Sequence, residues 1–228
     1  MRNGPIFISA IRQVLETGHD LVMKAAAPET DLFFLGDDLH LMRKCPCPVW
    51  ILKEEPPRDA DAPRHTILAA VDPDPEDAAR DALAHTVLTL ASSLAERTGA
   101  RLHVINAWHV PLEPAMRSAR VKMRPSEIEG VIESERRQSA QRLEALLADI
   151  ADPTGGRVAA HRKGAAGDVV PAYAAEIGAD TLVMGTVGRT GLSGFFIGNS
   201  AEMILNRIRC AALTTKPEGF VSPVAPAG

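Results

Sequence analysis

A glycine-rich segment in the second half of the sequence carries the residues best suited to bind a ligand. Gly185 and Gly188 follow a short apolar run, and nine residues separate Gly188 from Gly198. Glycine has no side chain and tolerates φ > 0, so the backbone at these positions can approach a ligand closely. Asn199 and Ser200 then open a predicted helix, whose unpaired amides and dipole favour an anion such as a phosphate. The segment predicts an anion-binding loop, although a glycine-rich turn with an N-capping Asn or Ser has the same composition.

Other residues with reactive side chains form weaker patterns. Cys45 and Cys47 are one residue apart, which is the wrong spacing for a CxxC redox or zinc pair and favours a structural role. His161, Arg162 and Lys163 could face an anion, but a solvated strand end is the simpler interpretation. No Gly-x-x-x-x-Gly-Lys-Ser/Thr loop is present, which argues against an ordinary nucleoside triphosphatase.

The elements that must position the glycine loop are predicted by alternating apolar runs and helical periodicity. Residues 65–71 are an apolar run that stops at Asp72-Pro73, which predicts a buried strand. Helical spacing continues over 75–99, and 102–108 predicts the second strand. Further strands are predicted over 157–161, 181–184 and 211–216, with helices between them. The alternation predicts an α/β fold with an open five-stranded parallel sheet and helices on both faces.

Two helix starts are predicted from capping residues. Ser126-Glu-Ile-Glu129 has the spacing of a capping box, in which the first residue caps the helix and the last reaches back to it. Asp168 is expected to cap a shorter helix that ends near Ile177.

An internal repeat divides the chain. Residues 18–23 resemble 178–184, and 32–36 echo 195–198. The first copy therefore looks like the C-terminal part of a domain whose earlier strands are absent, and we expect the reading frame to be truncated at its start. The predicted boundaries are 1–53 for the partial copy, 54–64 for a charged, Pro-rich linker, 65–217 for a complete domain and 218–228 for a flexible tail.

Composition excludes several classes of protein. The 25 Lys and Arg residues against 29 Asp and Glu give a net charge of -4, without the basic stripe of a nucleic-acid binder. No apolar run approaches the ~20 residues that cross a bilayer. Three cysteines do not make a disulfide framework. We expect a cytoplasmic protein with no nucleic-acid or membrane partner.

The glycine loop resembles the nucleotide loop of the universal stress proteins, which usually reads Gly-x-x-Gly, nine residues, then Gly-Ser or Gly-Thr. Gly185, Gly188 and Gly198 have that spacing. The strand that ends in Ala70-Val71-Asp72 and the five-strand order resemble the same family, and the repeat and the run at 43–50 are similar to its tandem, E-type branch. The resemblance covers nearly the whole chain and implies the adenine nucleotide α hydrolase-like (HUP) fold, with one complete domain preceded by a partial copy.

The resemblance implies a set of positions that contact ATP. From the base to the phosphates they are Ala70 and Val71 against the base, Asp72 at the ribose or adenine end, Met184, Gly185, Val187 and Gly188 along the ribose and phosphates, and Gly198, Asn199 and Ser200 at the phosphates. The sequence departs from the family at one point, because Asn199 stands where the motif has Ser or Thr and the hydroxyl comes one residue later. The first copy has lost both early glycines over 24–28, so we expect no nucleotide site there.

The expected function is a stress-response protein that uses ATP as a ligand or switch and is not an enzyme. No general base, Mg²⁺-binding carboxylate pair or arginine finger accompanies the loop, which argues against fast hydrolysis. The sequence does not decide whether a Mg²⁺ ion accompanies the ATP. The alternative is a binder of an apolar or lipid-like ligand, or a dimerisation scaffold, favoured by Asn199 and the apolar residues 195–197. A phosphotransferase or adenylating enzyme is the third hypothesis.

The resemblance also predicts how the two copies assemble. The last strand of such domains pairs with another domain, so 49–52 and 211–215 should pair between domains of one chain or in a homodimer. A partial copy leaves apolar residues such as Ile11, Val14 and Leu21 without a complete sheet to pack on. Removal of residues 1–64 is therefore expected to leave the remainder folded and more soluble.

Overall fold

A computed structural model describes residues 5–26, 36–53, 65–118, 121–186 and 198–226, and it has the α/β fold that the sequence predicts. In chain order, the elements of these residues are α1 (Ile6–Thr17), β1 (Val22–Ala25), α2 (Gly36–Lys44), β2 (Val49–Leu52), β3 (Thr66–Ala70), α3 (Ala78–Thr98), β4 (Arg101–Trp108), α4 (Glu113–Met116), α5 (Pro125–Asp149), β5 (Val158–Lys163), α6 (Ala166–Glu176), β6 (Thr181–Gly185), α7 (Asn199–Leu205) and β7 (Ala211–Thr215). None of these helices is long and apolar enough to span a membrane.

The strands of the described residues form one sheet in the order β1-β2-β7-β6-β3-β4-β5. The five strands from β7 to β5 are all parallel, as predicted for the complete copy. The sheet is larger than predicted, because β1 and β2 of the first copy extend it to seven strands. Strand β1 runs parallel to β2, and β2 runs antiparallel to β7.

The β2–β7 pair joins the two copies within one chain, as the sequence predicts. Trp50 lies opposite Leu213, and Ile51 lies opposite Ala212. Every residue of β7 is buried, because the strand has a neighbour on each side. Removal of residues 1–64 would therefore uncover an edge of β7, which argues against the expected gain in solubility.

Two of the three apolar clusters among the described residues cover the two faces of the sheet. Helices α1, α2, α6 and α7 pack on one face, and α3 and α5 pack on the other. The first of these cores is continuous across both copies: it contains Ile11 and Val14 of α1 together with Ile204 and Leu205 of α7. The expectation that Ile11 and Val14 lack a packing surface is wrong, because the second copy helps to complete that core. Leu21 remains 39% exposed.

The predicted end of α3 at Gly99 holds, but its start moves from 75 to Ala78, and the starts of α5 and α6 shift as well. In α3 the Asp77 carboxylate accepts the Arg80 N–H at 3.2 Å, and Gly99 ends the helix at φ 67°. Helix α5 begins earlier than the predicted box, at Pro125, whose fixed φ suits the first helical position. The carboxylate that reaches back belongs to Glu127. Asp168 lies inside the first turn of α6 rather than at its cap.

Part of the predicted tail lies against the first copy. The Ser222 hydroxyl donates to the Lys44 carbonyl at 2.7 Å, and Arg12 Nε donates to the Ala225 carbonyl at 3.3 Å. Val224 packs against the same core as α1 and α2. Residues 222–225 therefore connect the end of the second copy to helices of the first. The predicted linker, 54–64, lies outside the described residues.

Candidate functional site

The carboxyl ends of β3 and β6 lie side by side. Ala70 pairs with Met184 in the parallel register, so the chain leaves both strands at the same edge of the sheet. The chain order of the strands reverses here, since β4 flanks β3 on one side and β6 flanks it on the other. Open α/β sheets bind ligands in the crevice outside such a switch point. Ala70, Val71, Asp72, Met184 and Gly185 are thus brought to one place.

The glycine loop is closed at its base by backbone hydrogen bonds. The Gly198 N–H donates to the Thr186 carbonyl at 3.1 Å, and the Thr186 N–H donates to the Thr215 carbonyl at 3.1 Å. Thr186 is 1% exposed. The predicted contacts Val187 and Gly188 fall in 187–197, outside the described residues. The loop therefore leaves and rejoins the sheet beside β7, through a threonine that the motif did not single out.

Gly185 has a packing role that the sequence pattern did not predict. A Cβ atom at this position would lie 2.6 Å from Cδ2 of Leu83 in α3, well inside van der Waals contact. Gly185 does not adopt a positive φ, so its backbone conformation does not require a glycine. The close passage of α3 accounts for this glycine.

The start of α7 presents polar side chains to solvent. Gly198 precedes the helix with φ -58° and ψ 141°, and Asn199 and Ser200 are exposed at its first residues. Neither side chain forms a hydrogen bond with another described residue. Both side chains are therefore available to form hydrogen bonds with a ligand.

Asp72 is already engaged by a cation. Its carboxylate accepts two hydrogen bonds from Arg80, at 3.0 Å from Nε and 2.5 Å from Nη2, and its side chain is 47% exposed. Arg80 also binds Asp74 at 2.5 Å. Burial acts to lower the pKa of Arg80, but hydrogen bonding to Asp72 and the charges of the nearby carboxylates raise it overall. Arg80 was not identified from the sequence, although the first turn of α3 faces the strand end that carries Asp72.

A polar network of Asn106, Ser139 and His161 supports the backbone at the end of β3. Asn106 is 3% exposed, and its Nδ2 donates to the Val71 carbonyl at 3.0 Å. The Ser139 hydroxyl donates to Asn106 Oδ1 at 2.8 Å, and His161 Nε2 lies 3.1 Å from the same hydroxyl. Because the Ser139 proton is used toward Asn106, His161 must donate through Nε2.

The charge state of His161 agrees with that arrangement. Burial lowers the pKa of His161, and the ring stacks on Trp108 with centroids 5.6 Å apart. A neutral imidazole protonated at Nε2 therefore completes a chain of donors that ends at the Val71 carbonyl. This chain fixes the backbone immediately before Asp72.

Comparison with known proteins gives the family. The sequence model described as the universal stress protein family matches residues 63–216. The chain belongs to the universal stress protein family. Universal stress protein E of Escherichia coli K12 is 33% identical over 225 residues, which are 96% of this chain and 67% of that protein. Universal stress protein E of Salmonella typhi is 34% identical over 94% of this chain and 66% of its own length. The E-type resemblance predicted from the motifs is confirmed.

Solved structures agree with this assignment. A functionally unknown protein from Pseudomonas aeruginosa PAO1 superposes with a TM-score of 0.72 at 27% identity, over 95% of this chain and 70% of that one. A putative universal stress protein from Pseudomonas aeruginosa UCBPP-PA14 gives 0.70 at 27% identity, with the same coverage. A universal stress protein from Archaeoglobus fulgidus, at 15% identity and a TM-score of 0.57 over 92% of this chain and 66% of that one, shares the fold.

The first copy of this universal stress protein has a different surface at the corresponding helix start. Asp37 and Asp38 lie in the first turn of α2, and the sequence repeat aligns them with Asn199 and Ser200 of α7. Asp38 is buried and binds the Lys24 ammonium at 2.6 Å. Carboxylates repel a phosphate, so this helix start is unsuited to a nucleotide.

Other polar residues near the strand ends are committed to partners. Arg162 binds Glu176 at 3.0 Å, and Lys163 binds Glu113 at 2.7 Å. These pairs agree with a strand end rather than an anion site. Within the described residues, no group of three or more His, Cys, Asp or Glu side chains could hold a metal ion.

An apolar cavity of about 140 Å³ lies between α1, β1 and α2. Phe7, Ala10, Val22 and Leu41 are among the residues that line it. Pockets for small molecules usually have volumes of roughly 300–1,000 Å³. The cavity is therefore small for the lipid-like ligand of the alternative hypothesis.

Proposed function

We propose that this universal stress protein binds ATP as a ligand or switch at the carboxyl ends of β3 and β6, and acts in the cytoplasm. The observation that carries the proposal is the closed base of the glycine loop at the switch point of the sheet. The Gly198–Thr186 hydrogen bond fixes both ends of the family's nucleotide motif there.

The end of β3 supplies the surface for the adenosine part. The side chains of Val71 and Met184 are buried. A flat adenine base would therefore contact the backbone at the end of β3, around Ala70 and Val71. The partly exposed Asp72 carboxylate can accept hydrogen bonds from the two ribose hydroxyls. To do so it must share its oxygens with Arg80, or release that guanidinium toward the phosphates.

The start of α7 supplies the surface for the phosphates. Free amides at a helix start favour an anion, and the Asn199 amide and Ser200 hydroxyl add exposed donors. The shift of the hydroxyl from the family position to Ser200 leaves Asn199 as the donor nearest the loop. Val187 and Gly188 complete this half of the proposed site on the strength of the motif.

The carboxylates beside the site suit binding better than hydrolysis. Arg80 joins Asp72 to Asp74, and Arg142 lies 3.5 Å from Asp74, so both acids already face cations. A Mg²⁺ ion would have to displace a guanidinium to use this pair. We therefore propose that the protein holds ATP without efficient turnover and is not an enzyme.

Equilibrium binding of ATP by calorimetry tests the proposal, with Asp72→Asn as the variant. The loss of a charged acceptor should weaken ATP binding by about tenfold or more, because hydrogen bonds to charged groups contribute about 1.5–3 kcal/mol. Asp149→Asn is the matched control, since Asp149 is an exposed carboxylate at the far end of α5 and should leave the affinity unchanged. ATP binding that is absent, or equal in all three proteins, would contradict the assignment.

A further inference from the structure

The C-terminal end of α2 is capped by the segment that follows β7. The carbonyl of Met42 would normally accept the N–H of residue 46, but Pro46 has none. The buried ammonium of Lys216 donates to this carbonyl instead. A cation at a helix C-terminus also interacts favourably with the helix dipole. Lys216 thereby ties the last strand of the second copy to a helix of the first.

Two thiols lie at the same junction, immediately after α2. The Sγ atoms of Cys45 and Cys47 are 3.5 Å apart, within hydrogen-bonding distance for sulfur. Cys45 is 0% exposed, Cys47 is 9% exposed and Lys216 is 7% exposed. Lys216 lies 5.3 Å from the centroid of the Phe220 ring and forms no ion pair with a carboxylate among the described residues. The two sulfurs are the groups whose charges act to raise the pKa of Lys216, so an ionised thiol pair would supply a counter-ion to this buried cation.

The pKa values of the two thiols are shifted in opposite directions. The hydrogen bond with Cys45 lowers the pKa of Cys47; burial opposes this effect, and the Lys216 charge adds to it. The same hydrogen bond and burial raise the pKa of Cys45. Burial lowers the pKa of Lys216 to about 8, and the charges of the two sulfurs act to raise it. The charge of Asp20 acts on Cys47 in the opposite sense to Lys216.

We propose that Cys45 and Cys47 form a peroxide-responsive dithiol, with Cys47 as the attacking sulfur, Cys45 as the resolving thiol and Lys216 as the counter-ion. The Cys47 thiolate attacks a hydroperoxide oxygen, the O–O bond breaks, and Cys47 becomes a sulfenic acid while the leaving alkoxide or hydroxide takes up a proton. The Cys45 thiol then attacks the Cys47 sulfur and releases water, which leaves a Cys45–Cys47 disulfide. Two electrons pass from the two sulfurs to the peroxide.

The charge at the junction favours this chemistry over metal binding. A buried ammonium stabilises a thiolate but repels a metal cation. Oxidation removes the thiolate and leaves Lys216 without its counter-ion beside the α2 carbonyl. The contact between the two copies should therefore weaken on oxidation. This proposal is independent of the nucleotide site.

Mass spectrometry of the full chain after peroxide treatment tests the dithiol. The peptide with residues 45 and 47 should lose two hydrogen atoms, while Cys210 stays reduced. Cys210 is the internal control, because burial raises its pKa to about 11 and it has no thiol partner among the described residues. In Cys45→Ser, a sulfenic acid should be trapped on Cys47 by dimedone.

The role of Lys216 is tested by Lys216→Met, which replaces the ammonium by an unbranched, uncharged side chain one atom shorter. Removal of the cation should slow disulfide formation by about tenfold, by decreasing the thiolate fraction of Cys47. If this variant does not fold, the rate of alkylation of Cys47 in the unaltered chain must exceed that of Cys210 at neutral pH. Equal oxidation of Cys47 and Cys210, or sulfenic acid on Cys45 in Cys47→Ser at the rate seen for Cys47, would overturn the proposal.

Discussion

The N–H of Gly198 and the carbonyl of Thr186 close the glycine loop at 3.1 Å, beside the last strand of the sheet. Thr186 is anchored to Thr215 in turn, so the base of the loop belongs to the β6–β7 pair. Changes inside the loop can therefore alter ligand binding without altering the sheet. Changes at its base should alter both.

Gly188→Val tests the interior of the loop. A branched side chain where the turn or the phosphates must fit should lower the affinity for ATP by at least about tenfold, ~1.4 kcal/mol, and leave the unfolding transition in place. Gly156→Val is the control, because a Cβ there would meet no atom within 4 Å. Equal ATP affinity in both variants, measured by calorimetry, would remove the phosphate-loop assignment.

Gly185→Ala tests the packing role of that glycine. The added methyl group would collide with Leu83, so we expect a loss of roughly 1–3 kcal/mol in the free energy of unfolding. In a Leu83→Ala background, the same change should cost much less, because the colliding atoms are gone. Chemical denaturation of the four proteins measures the coupling. If Gly185→Ala instead lowered the ATP affinity and left the stability unchanged, contact with the ligand and not with α3 would be the reason for a glycine at this position.

The network behind Val71 predicts an acid sensitivity. Because burial lowers the pKa of His161 in the fold, the unfolded chain takes up the proton first as the pH falls below about 6.5. The contribution of His161 to stability should therefore decrease from about pH 6.5 downward. His161→Gln keeps an N–H donor for Ser139 and cannot titrate, so its acid loss should be shallower. The loss should not vanish, since burial also lowers the pKa of His103. Identical pH profiles of the two proteins would exclude the network as a cause.

Removal of residues 1–64 tests the joint between the copies. The remaining chain keeps five parallel strands but uncovers the edge of β7 that Trp50 and Ile51 occupy. An exposed edge favours pairing with another chain, so we expect this fragment to fold and to dimerise through β7. Light scattering after size exclusion measures the mass. A monomeric, fully soluble fragment would support the expectation drawn from the sequence instead.

The order of elements could be predicted because most strands are short apolar runs and the long helices carry apolar residues at helical spacing. Strand β5, with the sequence VAAHRK, is the weakest of these patterns. The β2–β7 pair could be predicted because the family resemblance implies pairing of last strands between domains, and the repeat supplies two such strands. Side-chain partners could not be predicted in the same way. Asn106 reaches Val71 across 35 residues of sequence, and Lys216 reaches Met42 across 174. No local pattern marks such pairs, because they depend on how the sheet is assembled.

Gly185 and Asp72 show the same limit within the site itself. The motif identifies both residues, but their contacts with Leu83 and Arg80 follow from the path of α3 over the sheet. A sequence pattern gives the position of a residue along the chain. The neighbouring helix decides whether a glycine serves packing or a ligand, and whether a carboxylate meets the ligand alone or together with a cation.

Native mass spectrometry of the purified chain tests the central claim most directly. The protein is incubated with ATP and transferred to a volatile buffer, and the mass of the intact complex is measured. The ligand is then released and identified by its own mass. We expect one ATP per chain, recovered as the triphosphate after prolonged incubation. A chain that stays free of added ATP, or that carries an apolar molecule in its place, would contradict the account.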